Sequence, residues 1–332
     1  MRRTLVFTGQ ERVELIEEAL PEPGPKGLLI ETRCSLISTG TEGIIFARNF
    51  APGSHWDNWV SYPFRVGYLN AGRVIGVGAD VDGWRVGDRA ASRGGHSSHV
   101  TVPADAAARI PEGVADEEAT WMGLGKITQV GVRRAEHKLG DTIVIIGLGL
   151  LGQLVTQYVH LLGAREVIAV DTAPARLEMA RAHGATAALQ MTAAEALEPV
   201  RELTGGQGAD VVYDVTGHAA VLATALPLAR RFGTLVLLGD TGHPEQQTLT
   251  PDVVTRGVKI VGAHDSHPPM HSSTWVPWSS RAMEDLFLHY LARGRLRVGD
   301  LITHRFQPEQ AAEAYGVLQR ERATAMGVVF QW

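Results

Sequence analysis

The segment "GLGLLG" at residues 147–152 has the glycine spacing GxGxxG, which is typical of a turn that binds a dinucleotide. It directly follows the apolar segment "DTIVII" and opens the helical segment "LLGQLVTQYVHLLG". Gly147 then permits a tight turn, Gly149 lets the backbone approach a pyrophosphate, and Gly152 lets helix and strand pack closely. Because the helix N-terminus faces the phosphates, the motif predicts a dinucleotide cofactor.

A carboxylate follows at the end of the next strand. Asp171 lies nineteen residues after Gly152, where it would accept hydrogen bonds from the adenosine ribose and repel a 2'-phosphate. This favours NAD(H) over NADP(H), although Arg176 can reach the same region and weaken the preference. The other candidate cofactor contacts in this part of the chain are Leu150, Leu151, Thr172, Thr216 and Gly239.

The segment "CSLISTGTE" at residues 34–42 contains the only cysteine of the chain, together with hydroxyl groups and a carboxylate. Cys34 has three possible roles, as a metal ligand, a nucleophile or a core residue. A single cysteine excludes an internal disulfide and fits a reducing cytoplasm.

The elements that position these residues differ between two parts of the chain. Up to about residue 120, short segments such as "GLLIETRCSLI" and "AGRVIGVG" alternate with glycine and proline turns, which predicts antiparallel strands. From about residue 127, strands alternate with helices of ten or more residues, which predicts a parallel sheet with helices on both faces. The segments assigned to this α/β pattern are "DTIVIIG", "EVIAVD", "APARLEMARAHG", "ADVVYDVTG", "HAAVLATALPLARR", "GTLVLLG" and "VKIVGAH".

Length and composition are those of an ordinary globular protein. The 332 residues exceed one core of typical size and predict two domains, and the formal net charge of -5 gives no reason to expect a nucleic-acid partner. The most apolar run, "TIVIIGLGLLGQLV", is too short to cross a membrane, which takes about 20 residues. The first residues lack the apolar core of a signal peptide, so we expect a cytoplasmic protein.

Five further motifs occur in an order that resembles one known family. They are "GTE" at 40–42, "VGYLNAGRVIGVG" at 66–78, "VGDRA" at 86–90, "GGHSSHVTVP" at 94–103 and "LITHRFQPEQAAEAYGVL" at 301–318. With the dinucleotide motif, they resemble the medium-chain dehydrogenase/reductase superfamily, which includes zinc alcohol dehydrogenases and quinone reductases. The resemblance implies a GroES-like β-rich catalytic domain at 1–126 and 264–332, and a Rossmann domain at 127–263.

The same resemblance assigns the zinc-ligand positions of the family to Thr39, Tyr68 and Leu124. These side chains do not form a zinc donor set, so we predict no zinc, and Cys34, five residues before the first position, is interpreted as a core residue. "STGTE" followed by Tyr68 is similar to the zinc-free members grouped around bacteriochlorophyllide hydroxyethyl dehydrogenase, although "GYLN" is not a close match. A separate metal site in "HDSHPPMH", which contains His264, remains a weaker alternative.

Without zinc, other groups must stabilise the developing alkoxide. By the resemblance, Thr41 matches a hydroxyl that relays a proton and Glu42 an acidic residue behind the metal, while Ile44 replaces the relay histidine. Tyr68 is predicted to donate a hydrogen bond or a proton, the alternative being that it only fills space. Lys126 is a candidate electrostatic acid or cofactor ligand, the alternative being a surface lysine. Thr128 matches a position that contacts the nicotinamide.

Tryptophans indicate the substrate class. Trp56 and Trp59 lie in "SHWDNWVSYPF" and Trp275 in "STWVPWSS", in loops that border the substrate cleft of related folds. Flat rings suit a sugar, a cyclitol or a polycyclic ring, although packing between domains or subunits explains them equally well. Thr39 and His264 complete the candidate substrate contacts.

The predicted function is that of a zinc-independent, NAD(H)-dependent dehydrogenase/reductase that interconverts a secondary alcohol and a ketone on a ring-bearing metabolite. Three alternatives stay open: a quinone or enoyl reductase, a redox-neutral epimerase with tightly held NAD, and a cofactor-binding protein without catalysis. We also expect a homodimer, with "VKIVGAH" pairing at the edge of the cofactor-domain sheet, and neither a nucleic-acid nor a membrane partner.

Overall fold

The computed structural model describes residues 1–332 and divides the chain into two compact units. The first unit comprises Met1–Asn49, Trp59–Lys126 and Pro269–Trp332, and the second comprises Phe50–Asn58 and Ile127–Pro268. The chain therefore returns to the first unit five residues later than the expected residue 264. Residues 50–58, which we assigned to the catalytic domain, pack with the second unit instead.

The chain forms sixteen strands and eleven α-helices. The strands are β1 (Arg2–Gly9), β2 (Arg12–Glu18), β3 (Gly27–Leu36), β4 (Phe64–Arg65), β5 (Asn70–Val77), β6 (Arg89–Ser92), β7 (His99–Pro103), β8 (Ala108–Arg109), β9 (Thr142–Ile146), β10 (Glu166–Asp171), β11 (Ala187–Gln190), β12 (Ala209–Asp214), β13 (Ala229–Leu237), β14 (Lys259–Gly262), β15 (Ile302–Phe306) and β16 (Gly327–Gln331). The helices are α1 (Thr39–Ala47), α2 (His55–Trp59), α3 (Asp116–Ala119), α4 (Met122–Arg134), α5 (Leu150–Leu161), α6 (Pro174–Ala182), α7 (Leu197–Leu203), α8 (Val221–Ala225), α9 (Asp252–Thr255), α10 (Ser280–Ala292) and α11 (Ala311–Arg320).

The second unit contains a parallel six-stranded sheet in the order β11-β10-β9-β12-β13-β14. Strand β9 is buried along its whole length, as expected for a strand covered on both faces. Strands β10 and β11 follow β9 on one side of the sheet, and β12, β13 and β14 follow on the other side of β9. This is the order of a doubly wound dinucleotide-binding fold, so the predicted α/β fold is confirmed.

The first unit is built on β-sheet. Its seven-stranded sheet has the order β15-β16-β3-β5-β6-β8, with β7 paired to β3, and a three-stranded sheet has the order β2-β1-β4. The pairs of β3 with β5, β7 and β16 are antiparallel, while β15 and β16 run parallel. One core cluster includes Leu28, Ile30, Val74 and Val100. Strand β16 thus brings the end of the chain back beside β3.

One local expectation was wrong, and two elements were missed. The segment "HAAVLATALPLARR", which we predicted as one helix, forms the short helix α8 and a 3-10 turn at Leu226–Leu228. Pro227 has no N–H to continue a helix, and strand β13 already begins at Ala229. Strand β11 and helix α7 were not predicted at all. None of the helices is both long and apolar enough to span a membrane.

Candidate active site

A buried carboxylate organises the start of α1 in the first unit. The Glu42 side chain is 1% exposed. Its Oε1 accepts a hydrogen bond from the Ser38 N–H at 2.8 Å, and its Oε2 accepts one from the Tyr315 hydroxyl at 2.6 Å. Buried carboxylates need such partners. Glu42 therefore ties the loop between β3 and α1 to helix α11.

His96 extends this network. Its Nε2 lies 3.0 Å from Glu42 Oε2 and its Nδ1 lies 2.7 Å from Ser35 Oγ. An ionised carboxylate only accepts, so Nε2 donates to Glu42. Ser35 Oγ accepts from the Trp332 indole N–H at 2.8 Å, which leaves its own hydrogen for His96 Nδ1. Glu42, His96, Ser35 and Trp332 therefore form one continuous hydrogen-bonded network.

The position of the His96 ring requires a residue without a Cβ at position 67, which is Gly67. A Cβ added at Gly67 would lie 2.7 Å from the ring of His96, and Gly67 has a φ of 90°, a backbone conformation that favours glycine. The glycine of "VGYLN" therefore makes room for the histidine of "GGHSSH", and the two motifs are parts of one arrangement.

Tyr68 lies next to the same loop. Its hydroxyl is 2.5 Å from Ser38 Oγ and 3.4 Å from Thr41 Oγ1, and the Arg93 guanidinium lies over its ring, 4.8 Å from the centroid. Burial raises the pKa of the Tyr68 phenol, while the hydrogen bonds to Ser38 and Thr41 and the charge of Arg93 act to lower it. The phenol therefore keeps its proton at neutral pH and can donate a hydrogen bond.

The residues at the zinc positions of the family do not fit a zinc ion. Thr39 and Tyr68 offer neutral hydroxyls, and Leu124, which is buried, offers no donor. Cys34 lies on β3, and burial raises the pKa of its thiol to about 12, so it is neither a thiolate ligand nor a nucleophile at neutral pH. No group of three histidine, cysteine or acidic side chains in residues 1–332 is arranged to hold a metal.

The histidines of "HDSHPPMH" have separate partners. His264 Nδ1 lies 2.8 Å from Ser266 Oγ in the second unit, and the rings of His264 and His267 are 6.0 Å apart. His271, in the first unit, lies with Nε2 3.3 Å from Asp105 Oδ2. These contacts do not form a set of three ligands.

In the second unit the glycine motif has the expected geometry. Gly147 has a φ of 89°, and a Cβ added at Gly152 would lie 2.0 Å from the Gly147 carbonyl oxygen. A Cβ at Gly149, by contrast, would meet no atom within 4 Å, and Gly149 is the N-cap of α5. The space above Gly149 at the helix N-terminus suits a pyrophosphate. The motif therefore fits the cofactor that we predicted.

Asp171 lies beside this turn at the end of β10. Its Oδ2 accepts a hydrogen bond from the Leu148 N–H at 2.7 Å, and its Oδ1 accepts one from the Ala173 N–H at 2.9 Å. Arg176 Nη1 is 3.9 Å from Asp171 Oδ2. The carboxylate and the guanidinium, whose opposite effects on cofactor choice we predicted, are therefore neighbours.

The other candidate cofactor residues differ in their exposure to solvent. Thr216 Oγ1 donates to Asp214 Oδ1 at 2.7 Å, and a Cβ at Gly239 would lie 2.5 Å from Gly217 N, so the ends of β12 and β13 are in contact. Leu150 is buried, Leu151 is half-buried and Thr172 is exposed. Thr128 is fully buried in α4.

The candidate substrate residues are divided between the two units. Trp56 is buried in the second unit, where its indole N–H donates to the Thr241 carbonyl at 3.1 Å. Trp59 is half exposed and packs edge-on against Phe64, and Trp275 is 92% exposed. Lys126 is only 5% exposed, so it is not a surface lysine.

Sequence reasoning missed six residues of the Tyr68 and Glu42 networks: Ser35, Ser38, Arg93, His96, Tyr315 and Trp332. Four of them stood within segments that we quoted: Ser35 and Ser38 in "CSLISTGTE", His96 in "GGHSSHVTVP" and Tyr315 in "LITHRFQPEQAAEAYGVL". A histidine between paired glycines and serines was the available signal. Its partner lies 54 residues away, and no local spacing reveals such a contact.

Comparison with known proteins decides the family. The family model described as zinc-binding dehydrogenase matches residues 151–277. D-guloside 3-dehydrogenase of Escherichia coli (strain K12) is 30% identical over 275 residues, which cover 80% of this chain and 78% of that protein. The chain belongs to the medium-chain dehydrogenase/reductase superfamily. The predicted superfamily and its oxidoreductase class are thereby confirmed, while the zinc-free branch stays a prediction.

Solved structures share the fold of this chain. A protein of E. coli CFT073 described as a short chain alcohol dehydrogenase, complexed with NADH, has a TM-score of 0.82 and 20% identity, and the match covers 100% of this chain and 99% of that one. A protein of Sinorhizobium meliloti 1021 described as a zinc-binding dehydrogenase, bound to NADP, has a TM-score of 0.81 and 22% identity over 100% and 99% of the chains.

Proposed function

We propose that this protein is a zinc-independent, NAD(H)-dependent dehydrogenase/reductase that interconverts a secondary alcohol and a ketone on a hydroxylated ring substrate. The observation that carries the proposal is the Tyr68 hydroxyl, held by Ser38 and Thr41 at a position that the family resemblance assigns to a metal ligand. The substrate class is supported by the name of one relative, D-guloside 3-dehydrogenase.

The mechanism needs a group that stabilises negative charge. The cofactor supplies the hydride acceptor and donor. When a ketone is reduced, charge develops on its oxygen, and a preorganised O–H donor lowers the energy of that state. Tyr68 is such a donor because its phenol is protonated and oriented by two hydroxyls. The Arg93 guanidinium, which lies over the ring, places a positive charge next to the Tyr68 side chain.

Tyr68→Phe is expected to lower kcat by about 10²-fold, the lower end of the range for the loss of one hydrogen-bond donor to a developing oxyanion. Tyr62→Phe is the matched control, because the Tyr62 hydroxyl donates to the Ile45 carbonyl in the same unit. It should cost only about 1 kcal/mol of stability. Steady-state kinetics with NAD+ and a panel of sugar and cyclitol alcohols measures kcat for both variants, and Tyr62→Phe should keep the native value. If Tyr68→Phe and Lys126→Ala both keep full turnover, the assignment is wrong.

Zinc independence has its own test. Protein purified without a histidine tag should contain less than stoichiometric zinc by mass spectrometry, and its turnover should survive prolonged dialysis against a chelator. The reason is the donor set of Thr39, Tyr68 and Leu124, which lacks the thiolate, imidazole and carboxylate ligands that zinc requires. One zinc per chain, lost together with activity, would contradict the proposal.

Preference for NAD(H) is assigned to the charge of Asp171. Asp171→Asn keeps an acceptor for the Leu148 N–H but removes the charge, so the ratio of kcat/KM for NAD+ to that for NADP+ should fall by about tenfold, which corresponds to about 1.4 kcal/mol. Glu178→Gln, on the exposed side of α6, is the control and should leave the ratio unchanged. An unchanged ratio in Asp171→Asn would show that another residue sets the preference for NAD(H).

We also propose a homodimer through β14. This strand ends the six-stranded sheet and pairs only with β13, so its outer edge can pair with a second copy. Light scattering at micromolar concentration should give twice the chain mass of 35.8 kDa. A monomer at that concentration would remove this part of the proposal. The cytoplasmic location stays a prediction.

A further inference from the structure

Residues Phe50–Asn58 are held on the second unit by the loop that follows β13. The Ala51 N–H donates to the Gly242 carbonyl at 2.8 Å, and the Trp56 indole N–H donates to the Thr241 carbonyl at 3.1 Å. Since Trp56 is buried, the segment is anchored and its neighbouring side chain is positioned.

That neighbour is His55. Its Nε2 lies 2.8 Å from Asp240 Oδ2, and the two side chains are 56% and 42% exposed. The carboxylate accepts, so Nε2 carries a hydrogen and Nδ1 is the nitrogen that can take up a proton. A carboxylate that holds an imidazole in one tautomer and stabilises the imidazolium is the arrangement of a general base.

The pair lies at the edge of the sheet where the cofactor motif lies. A Cβ at Gly147 would be 2.9 Å from Thr216 Cγ2, and a Cβ at Gly217 would be 2.7 Å from the Asp240 carbonyl oxygen. The loops after β9, β12 and β13 therefore touch in that order. With adjacent strands about 4.8 Å apart, the loop after β13 begins about 10 Å from the glycine turn.

The direction of the cofactor follows from this order. Asp171 ends β10, on one side of β9, and is the residue predicted to bind the adenosine ribose. In doubly wound sheets, a dinucleotide lies across the carboxyl ends of the strands at the point where the strand order reverses. The nicotinamide half of a bound cofactor would then extend over β12 and β13, toward Asp240 and His55.

We propose that His55, held by Asp240, accepts the proton released when the substrate alcohol is oxidised at the nicotinamide. This assignment rests on the proposed dehydrogenase function. The C–H bond breaks and its electron pair leaves as hydride to NAD+, while the O–H bond breaks and its electron pair forms the second C–O bond. The proton of that O–H goes to His55 Nδ1. In reduction the imidazolium returns the proton.

Other titratable groups on these two segments have partners of their own. The Asp57 carboxylate accepts from the Gly53 N–H at 2.9 Å, and His243 Nδ1 lies 3.3 Å from Glu245 Oε1. His243 with Glu245 is a second, partly exposed imidazole and carboxylate pair three residues beyond Asp240. It therefore offers a matched control.

Binding of cofactor halves tests the position without activity. In proton NMR, the resonance missing from His55→Gln identifies the His55 ring. We expect this resonance to shift when NAD+ is added and to stay in place when AMP is added, because AMP fills only the adenosine half. The His243 resonance, identified in the same way, should shift less. A His55 resonance that does not shift when NAD+ is added would overturn the inference.

The pH dependence of alcohol oxidation tests the role. For the native protein, kcat/KM should decrease on the acid side of the pH profile, as expected for a reaction that needs a general base. His55→Gln should lose this limb and at least about tenfold of the rate, and Asp240→Asn should lower the rate with His55 still present. His243→Gln should keep the native profile. If His55→Gln also keeps the native pH profile, the proton role of His55 is wrong and the proposed dehydrogenase function is unaffected. A native protein that oxidises no alcohol would overturn both the proposed function and the proton role.

Discussion

Gly152→Ala is expected to abolish measurable cofactor binding and to lower the melting temperature, whereas Gly149→Ala should abolish binding alone. A Cβ introduced at Gly152 would lie 2.0 Å from the Gly147 carbonyl oxygen, which is backbone and cannot rotate away. The turn must therefore move. Overpacking of this kind costs about 1–3 kcal/mol, and a value at the upper end corresponds to about 10 °C for a unit of this size.

Gly149 provides the matched variant. A Cβ there would meet no protein atom within 4 Å, and the φ of -70° is accessible to alanine. We therefore expect the Gly149→Ala protein to melt within about 2 °C of the native protein. Its methyl group occupies the space that we assign to the pyrophosphate, so titration with NADH, followed by fluorescence, should show no saturation. Tight NADH binding by Gly149→Ala would move the phosphates away from this turn.

Glu42→Ala is expected to lower the free energy of unfolding by about 3–5 kcal/mol, as is usual when one partner of a buried charged network is removed. The substitution strands the Ser38 N–H, the Tyr315 hydroxyl and the His96 N–H in a site from which water is excluded. Chemical denaturation of the native and variant proteins gives the difference. Glu198→Ala is the control, since its side chain is 78% exposed and should change stability by less than about 0.5 kcal/mol.

Glu42→Gln separates stability from activity. The amide keeps one acceptor oxygen, so the loss of stability should be smaller than in Glu42→Ala. Ser38 is bonded both to Glu42 and to Tyr68, so a shift of its loop should still lower kcat while KM changes little. A Glu42→Ala protein as stable as the native one would show that the network does not support the fold.

The cofactor unit could be predicted in detail because its information is local. Glycine spacing, the apolar strand before it and the acid after it all lie within residues 142–171, and the structure has the expected turn, helix and strand there. The failure at residues 218–231 had a local cause as well, since Pro227 ended the helix earlier than its apolar pattern indicated.

The catalytic unit could be predicted only in part. The resemblance identified Thr41, Glu42 and Tyr68, but it did not indicate that Ser38 would connect two of them. It also placed residues 50–58 in the wrong unit, because the pairing of that segment with the loop after β13 depends on residues almost two hundred positions away.

By itself, the sequence determined the α/β fold, the dinucleotide turn and the absence of zinc-type side chains at three positions, because periodicity and residue type act over short stretches. Only the tertiary structure decided which polar groups meet. Glu42 with His96 and Tyr315, Tyr68 with Arg93, and His55 with Asp240 are each joined across distant segments. Buried and half-buried polar groups need hydrogen-bond partners, and the three-dimensional packing of the chain decides which groups are close enough to be those partners.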